Sequence, residues 1–449
     1  GTVCVVGKIR DLILQLSKSS IYSTKPFFYL KYGEWLMQLR RESLLSLIVT
    51  FFSPLIGAVL SLLTYKRGHE KNLFVSLSLF AFAVTYFIPP LQDLYRRYTL
   101  NYLPYSESTT YIDAITGHVD ILMYVVLLFF KKNNIPFFWA PALEAAFSVY
   151  LGLSAVNTAI KDKLYKNKQK AFVFLLSFLM INFVGIALGL RFGFAVSLFT
   201  YAAIKIIYKE RVILSYLFLL LSVCTHFSML IPVAVLIASM FYSVNKKITP
   251  VYCLLAYLAG TFVFFSLFNS IQLGNINDYA QAGYIDGKFA NADTTGNAMI
   301  MSIFRFTFFF VLYVIYYFSN NTCISNCELR LEKFINLMLI TCFLMTVSFS
   351  AFSRYMNGVL LYFIFVYIMA RFFISYKKGA KLIIIFFIIL NFALQYVYAQ
   401  RRALVFGEMW RGLYTPVIYS LYYSNDDLKI YLKHIDADGD VSGYGYPSN

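Results

Sequence analysis

The densest run of reactive side chains lies at residues 88–98, I-P-P-L-Q-D-L-Y-R-R-Y. An apolar run, residues 73–90, leads into it and stops at Pro89 and Pro90. A carboxylate (Asp93), two guanidiniums (Arg96, Arg97) and two phenols (Tyr95, Tyr98) follow at once. A carboxylate placed there can take the proton from a sugar hydroxyl. The tyrosine rings can stack on sugar faces, or simply mark a membrane interface. Three more polar residues stand where long apolar runs end: Arg191 in G-I-A-L-G-L-R-F-G, His226 in C-T-H-F-S and Arg354 in F-S-R-Y-M-N. Arg305 lies five residues inside such a run, where a charge calls for an anionic partner. The planar guanidinium fork suits bidentate binding of a phosphate group. His226 can act as a general base or donate to a phosphate oxygen, and it can equally be a hydrogen-bonded structural group. Asp120, in G-H-V-D, is a second candidate carboxylate. Gly185, Gly189 and Gly193 are spaced by four, a face that lets helices approach closely. On that reading Arg191 is the snorkelling end of a packed helix, and both readings stay open.

The elements that must position these groups are membrane helices. The chain has 449 residues, 59% hydrophobic and 14% charged, against about 25% charged in an ordinary soluble domain. Apolar segments of about 18 or more residues recur along its length, and each is a candidate span. They are continuous runs, not alternating ten-residue strands, which excludes a transmembrane β-barrel. The +17 net charge would suit a nucleic-acid binder. The basic residues instead cluster in short loops between apolar segments, the pattern that orients helices in a membrane. No glycine-rich phosphate loop of the Walker type is present. The six cysteines are scattered and read as free thiols, with no metal site.

The basic loops set the expected topology. Residues 42–65 form the first span, 66–71 a cytoplasmic loop, and 73–90 cross outward. Residues 115–130 are apolar but reach only about 24 Å as a helix, short of the ~30 Å hydrocarbon core. Residues 135–160 are full-length and end at the lysine-rich loop 161–170, the stronger cytoplasmic marker. Residues 115–130 are therefore expected to be a short re-entrant or interfacial helix on the external face. The remaining segments alternate. The expectation is an all-α polytopic protein of about 12 spans, with Asp93, Arg191, His226 and Arg354 all at external ends. Residues 1–41 read as an amphipathic extension, 42–400 as the multi-span domain and 401–449 as a polar external tail. The D-A-D-G-D of that tail (Asp436, Asp438, Asp440) fails as a calcium loop. Val441 stands where glycine is needed and Pro447 where a bidentate Glu belongs. It is expected to be solvated.

An Asp followed by tyrosines after the early spans, R-F-G-F-A-V-S-L opening a span, T-H-F-S-M-L, and a late S-R-Y follow one another in that order. Over residues 42–400 this resembles the EpsG/Wzy-type exopolysaccharide and O-antigen polymerases. The resemblance implies a multi-pass glycosyltransferase of the bacterial inner membrane. Such an enzyme joins oligosaccharide repeat units carried on undecaprenyl diphosphate at the external face. Asp93 and His226 would be catalytic. Arg191, Arg354, Arg305, Tyr95, Tyr98 and Asp120 would bind substrate. Implied partners are the lipid-linked oligosaccharides, membrane lipid and a chain-length regulator protein, with no nucleic acid, metal or cofactor. An O-antigen ligase or another lipid-linked-sugar glycosyltransferase is one alternative expectation, and a transporter or flippase of lipid-linked glycans is another, of a different class.

Overall fold

Hydrocarbon offers no partner for backbone N–H and C=O groups, so apolar chain closes them on itself as helix. In the computed structural model the described residues are 44–116, 118–260, 296–319, 325–422, 425–436, 439 and 441. They are helical apart from turns and one isolated antiparallel bridge, Ile435 to Val441. The expected 1–41 extension and the loop 269–297 lie outside the described residues, the loop's last two positions excepted. The helices that position the site are α1 (Glu70–Tyr86), α2 (Asp93–Arg97), α3 (Ile121–Lys132), α4 (Trp139–Ile160), α5 (Asn167–Met180), α6 (Phe183–Gly189), α7 (Phe192–Ile207), α8 (Val212–Thr225), α9 (Leu230–Phe241), α10 (Gly296–Tyr317), α11 (Asn326–Leu344), α12 (Phe349–Ser353), α13 (Leu361–Arg371) and α14 (Lys378–Ala393). Five stretches are long and apolar enough to cross a membrane: Trp139–Ile160, Asn167–Gly189, Met299–Tyr317, Phe349–Arg371 and Lys378–Ala399. The shorter apolar helices include α7, α8 and Phe227–Phe241.

α4 is the hub. It packs on α1, α5, α6, α7 and α13. Its buried residues include the small Ala142, Ala145, Ser148, Gly152, Ala155 and Ala159, which let neighbouring backbones come close. The bundle has two chemically distinct ends. At one end the basic loops are tied together: Lys161 and Lys205 both reach Glu210, and Lys163 bonds Glu328 at 2.7 Å. Lys246 bonds the Ser319 carbonyl at 3.0 Å, and Tyr165 Oη donates to the Met369 and Ala370 carbonyls. At the other end, about 24 Å away along α7, stands Arg191. Both ends of α3 meet elements of that second end. Asp120, before α3, pairs with Arg191. Beyond α3, Tyr102 Oη donates to the Ile135 carbonyl and Phe138 packs on Tyr86.

The tail is not polar throughout. Among its described residues Ala403, Phe406, Met409 and Ile435 are buried, and the turn Met409–Leu413 packs on α1. Asp436, of the D-A-D-G-D expected to be solvated, is exposed, and Asp438 and Asp440 lie outside the described residues. Tyr86 Oη donates to the Ser420 carbonyl at 2.6 Å, and Arg411 sits over the Phe87 ring. Apolar residues spaced among polar ones give this segment one face to bury, which its average composition hides.

Candidate functional site

The site is made by chain breaks. α5 stops at Ile181, whose carbonyl accepts the Tyr396 hydroxyl at 3.1 Å. Asn182 then caps α6 through the Gly185 N–H at 3.0 Å. α6 ends with Leu190 in the left-handed region, φ 51°, and the chain turns before α7. That turn presents Arg191 to two carboxylates from separate segments. Its Nε and Nη2 donate to Asp93 Oδ2 at 3.3 and 3.2 Å. Its Nη1 donates to Asp120 Oδ2 at 3.0 Å. Asp93 Oδ1 accepts from Arg97 Nη2 at 3.2 Å, one helical turn on. Arg97 also reaches Asn101 and the Tyr124 hydroxyl, each at 3.1 Å.

Asp120 carries the network onward. Its Oδ1 accepts the Phe227 backbone N–H at 2.9 Å. This fixes the break between α8 and α9, where His226 is extended. His226 Nδ1 accepts the Ser228 N–H at 3.3 Å and lies 2.7 Å from the Ser228 hydroxyl. Tyr355 Oη donates to the Ser228 carbonyl at 2.8 Å. Phe192, the residue after Arg191, lies edge-on to His226, ring centres 5.5 Å apart. Arg354 covers the same Phe192 ring at 5.8 Å. Arg354 also opens a π-helical turn, Arg354–Leu360, a form that recurs at functional sites.

Burial raises the Asp93 carboxyl's pKa, but the charges of Arg191 and Arg97 and their hydrogen bonds outweigh that, and the net shift is downward. Asp93 is therefore ionised at neutral pH. Burial pushes the His226 imidazole down to about 4, so the ring is neutral.

The structure thus joins Asp93, Asp120, Arg191, His226 and Arg354. It bears on two expected roles. With Nδ1 accepting the Ser228 N–H, the neutral ring carries its hydrogen on Nε2, which suits the donor of the two roles open to His226. Tyr98 is fully buried, its ring stacked on Tyr102 at 5.9 Å and packed on Phe137. No sugar can reach its face. Tyr95 is half-buried against the core. Arg305 is half-buried on α10, next to Phe306, which stacks on Phe352 two residues before Arg354.

A family model described as the EpsG family matches residues 92–406. The chain belongs to the EpsG family. No curated protein and no solved structure matches it. With its apolar helices, the family makes this a membrane protein of polysaccharide biosynthesis. The EpsG match opens one residue before Asp93 and takes in every residue of the joined cluster. It leaves residues 407–449 outside.

Some residues of this EpsG-family site escaped sequence reasoning. Arg97 carried a readable signal, its i+4 spacing from Asp93. Phe192 and Ser228 carried none, as one Phe among 46 and an ordinary Ser. His118 stacks face to face on Tyr124, ring centres 3.9 Å apart, and so adjoins Arg97 through the Tyr124 hydroxyl.

Proposed function

We propose that this EpsG-family protein is a polysaccharide polymerase that joins undecaprenyl-diphosphate-linked repeat units at the external face of the bacterial inner membrane. One observation carries the reading: Asp93, Asp120, Arg191, His226 and Arg354 come from segments far apart in sequence and meet at one end of the bundle. The family's character as glycosyltransferase-like polymerases agrees with it. The expected topology of about twelve spans puts that end outside the cell. The short helix α3 then enters and leaves on the external side, in keeping with the contacts of both its ends.

In this reading two lipid-linked glycans meet over the cluster. Asp93 is the more open of the two carboxylates, its side chain 24% exposed against 3% for Asp120. Asp93 therefore faces the acceptor. The acceptor hydroxyl oxygen attacks the anomeric carbon, and its proton passes to Asp93. The bond from that carbon to the diphosphate oxygen breaks, and the electron pair leaves with the diphosphate. Three guanidiniums (Arg97, Arg191, Arg354) stand against two carboxylates. That net positive charge favours the leaving group's developing charge. His226, with its hydrogen on Nε2, donates to an oxygen on the same side. Membrane lipid and a chain-length regulator protein are the partners this role requires.

The test is polymerisation in vitro with purified protein and defined undecaprenyl-diphosphate repeat units. Products longer than one unit that remain on the lipid carrier are expected. Transfer of single units to a different acceptor would make it a ligase. Movement of the lipid-linked unit across vesicles without any new glycosidic bond would make it a flippase. Either result would replace the polymerase reading.

A further inference from the structure

The residue before Asp93 is held in an unusual way. Gln92 has φ 56° and ψ −128°, a region that is costly for a residue with a side chain and persists only where the surroundings enforce it. Its side chain makes no capping bond to α2. The enforcing contact comes from the far end of the chain. The Gln92 N–H donates to the Gly439 carbonyl at 2.8 Å. Gly439 itself has φ +84°, and a Cβ there would lie 2.8 Å from Gln92 O and 2.9 Å from Gln92 N. Its turn is closed by its own N–H on the Asp436 carbonyl at 3.0 Å and by the Ile435–Val441 bridge. The segment leading there is strapped along α1. Tyr86 Oη holds the Ser420 carbonyl, and a Cβ on Gly412 would collide with the Ala83 carbonyl and Val84 Cα. Gly412, Ser420 and Gly439 all lie beyond residue 406, where the family match ends.

We propose that the described residues between 407 and 441 form a positioning strap. Gly439 locks the Gln92 backbone in its left-handed setting and thereby aims Asp93 at Arg191 and Arg97. The strap sets the orientation of the acceptor-facing carboxylate without touching substrate. The idea rests on the role given to Asp93 above, and its test is built to fail separately from that role.

The test uses the full chain in lipid nanodiscs, comparing wild type with Gly439→Ala and Gly439→Val. Pro89 and Pro90 carry no amide hydrogen, so amide exchange in a peptide from this turn reports on Leu91, Gln92 and Asp93. The strap predicts that Gly439→Val speeds exchange there by about tenfold or more, while α4 exchange stays as in wild type. Gly439→Ala should fall between. With lipid-linked repeat units, kcat should fall by about tenfold with KM nearly unchanged, because Asp93 acts on a proton that moves only in the transition state. Unchanged exchange at Gln92 overturns the proposal. So does faster exchange spread equally into α4, which would make the strap general packing, or faster local exchange with kcat intact. Exchange needs no substrate. Local loosening in a protein that polymerises nothing therefore keeps the strap and sinks the polymerase reading instead.

Discussion

Arg191 and Arg354 look alike in the sequence, as charges at the ends of apolar runs. Arg191 is built into the fold by Asp93 and Asp120. Removing it strands the buried Asp120 carboxylate, and breaking such a pair costs about 3–5 kcal/mol. Arg191→Ala should therefore lose protein from the membrane before activity can be judged, and adding Asp120→Asn should restore part of the level. Arg354 covers the Phe192 ring, a contact worth about 0.5–2 kcal/mol. Arg354→Ala should lose roughly 30- to 1000-fold in polymerisation rate per molecule of protein in the membrane, the effect of one transition-state charge contact. Arg354→Lys keeps the charge without the fork and should fall between. Immunoblot level and in vitro rate, measured together, decide it. An Arg354→Ala protein that accumulates and makes polymer at the normal rate would remove Arg354 from the site.

The break between α6 and α7 changes how the glycines act. At a spacing of four, Gly185, Gly189 and Gly193 read as one face of one helix. The left-handed Leu190 splits that helix, leaving Gly185 and Gly189 on α6 and Gly193 on α7. A Cβ at Gly193 would lie 2.7 Å from Ile186 Cγ1 and 3.2 Å from its Cα, whereas one at Gly189 meets nothing within 4 Å. Gly193→Leu should thus lower the level of folded protein, at about 1–3 kcal/mol for overpacking. Gly189→Leu should be tolerated, and thermal unfolding of the two purified variants checks this. The same break shows what was legible. Asp93, Arg191, His226 and Arg354 stood out because a charge or imidazole beside hydrocarbon needs a reason. The Leu190 kink and the Gln92 turn did not, because neither residue type announces a positive φ. The C-terminal strap was hidden for a related reason. Its hold on Gln92 is a backbone hydrogen bond between residues remote in sequence, and backbone bonds leave no mark in side-chain pattern.

Over the whole molecule, one end gathers lysines with glutamates and the other gathers arginines with aspartates. α4 and α7 run between them. If the lysine end is cytoplasmic, Lys166 and the two loops flanking α3 must face opposite solutions. Single cysteines replacing the exposed residues Ser108, Asn134 and Lys166 on a cysteine-free background test this. In intact cells an impermeant reagent should label positions 108 and 134 and reach 166 only after lysis. Opposite reactivity of 108 and 134 would make α3 a full span and reverse the sidedness of everything after it.

The Arg191 hub also constrains how the protein is born. Arg191 lies 98 residues after Asp93 and 71 after Asp120. A ribosome delivers both carboxylates long before the guanidinium that joins them. For as long as synthesis takes to cover that gap, Asp93 has only Arg97 and Asp120 waits at a site whose neutralising guanidinium does not yet exist. Assembly of the site is therefore an event in time, and it completes only when Arg354, later still, comes to rest on Phe192.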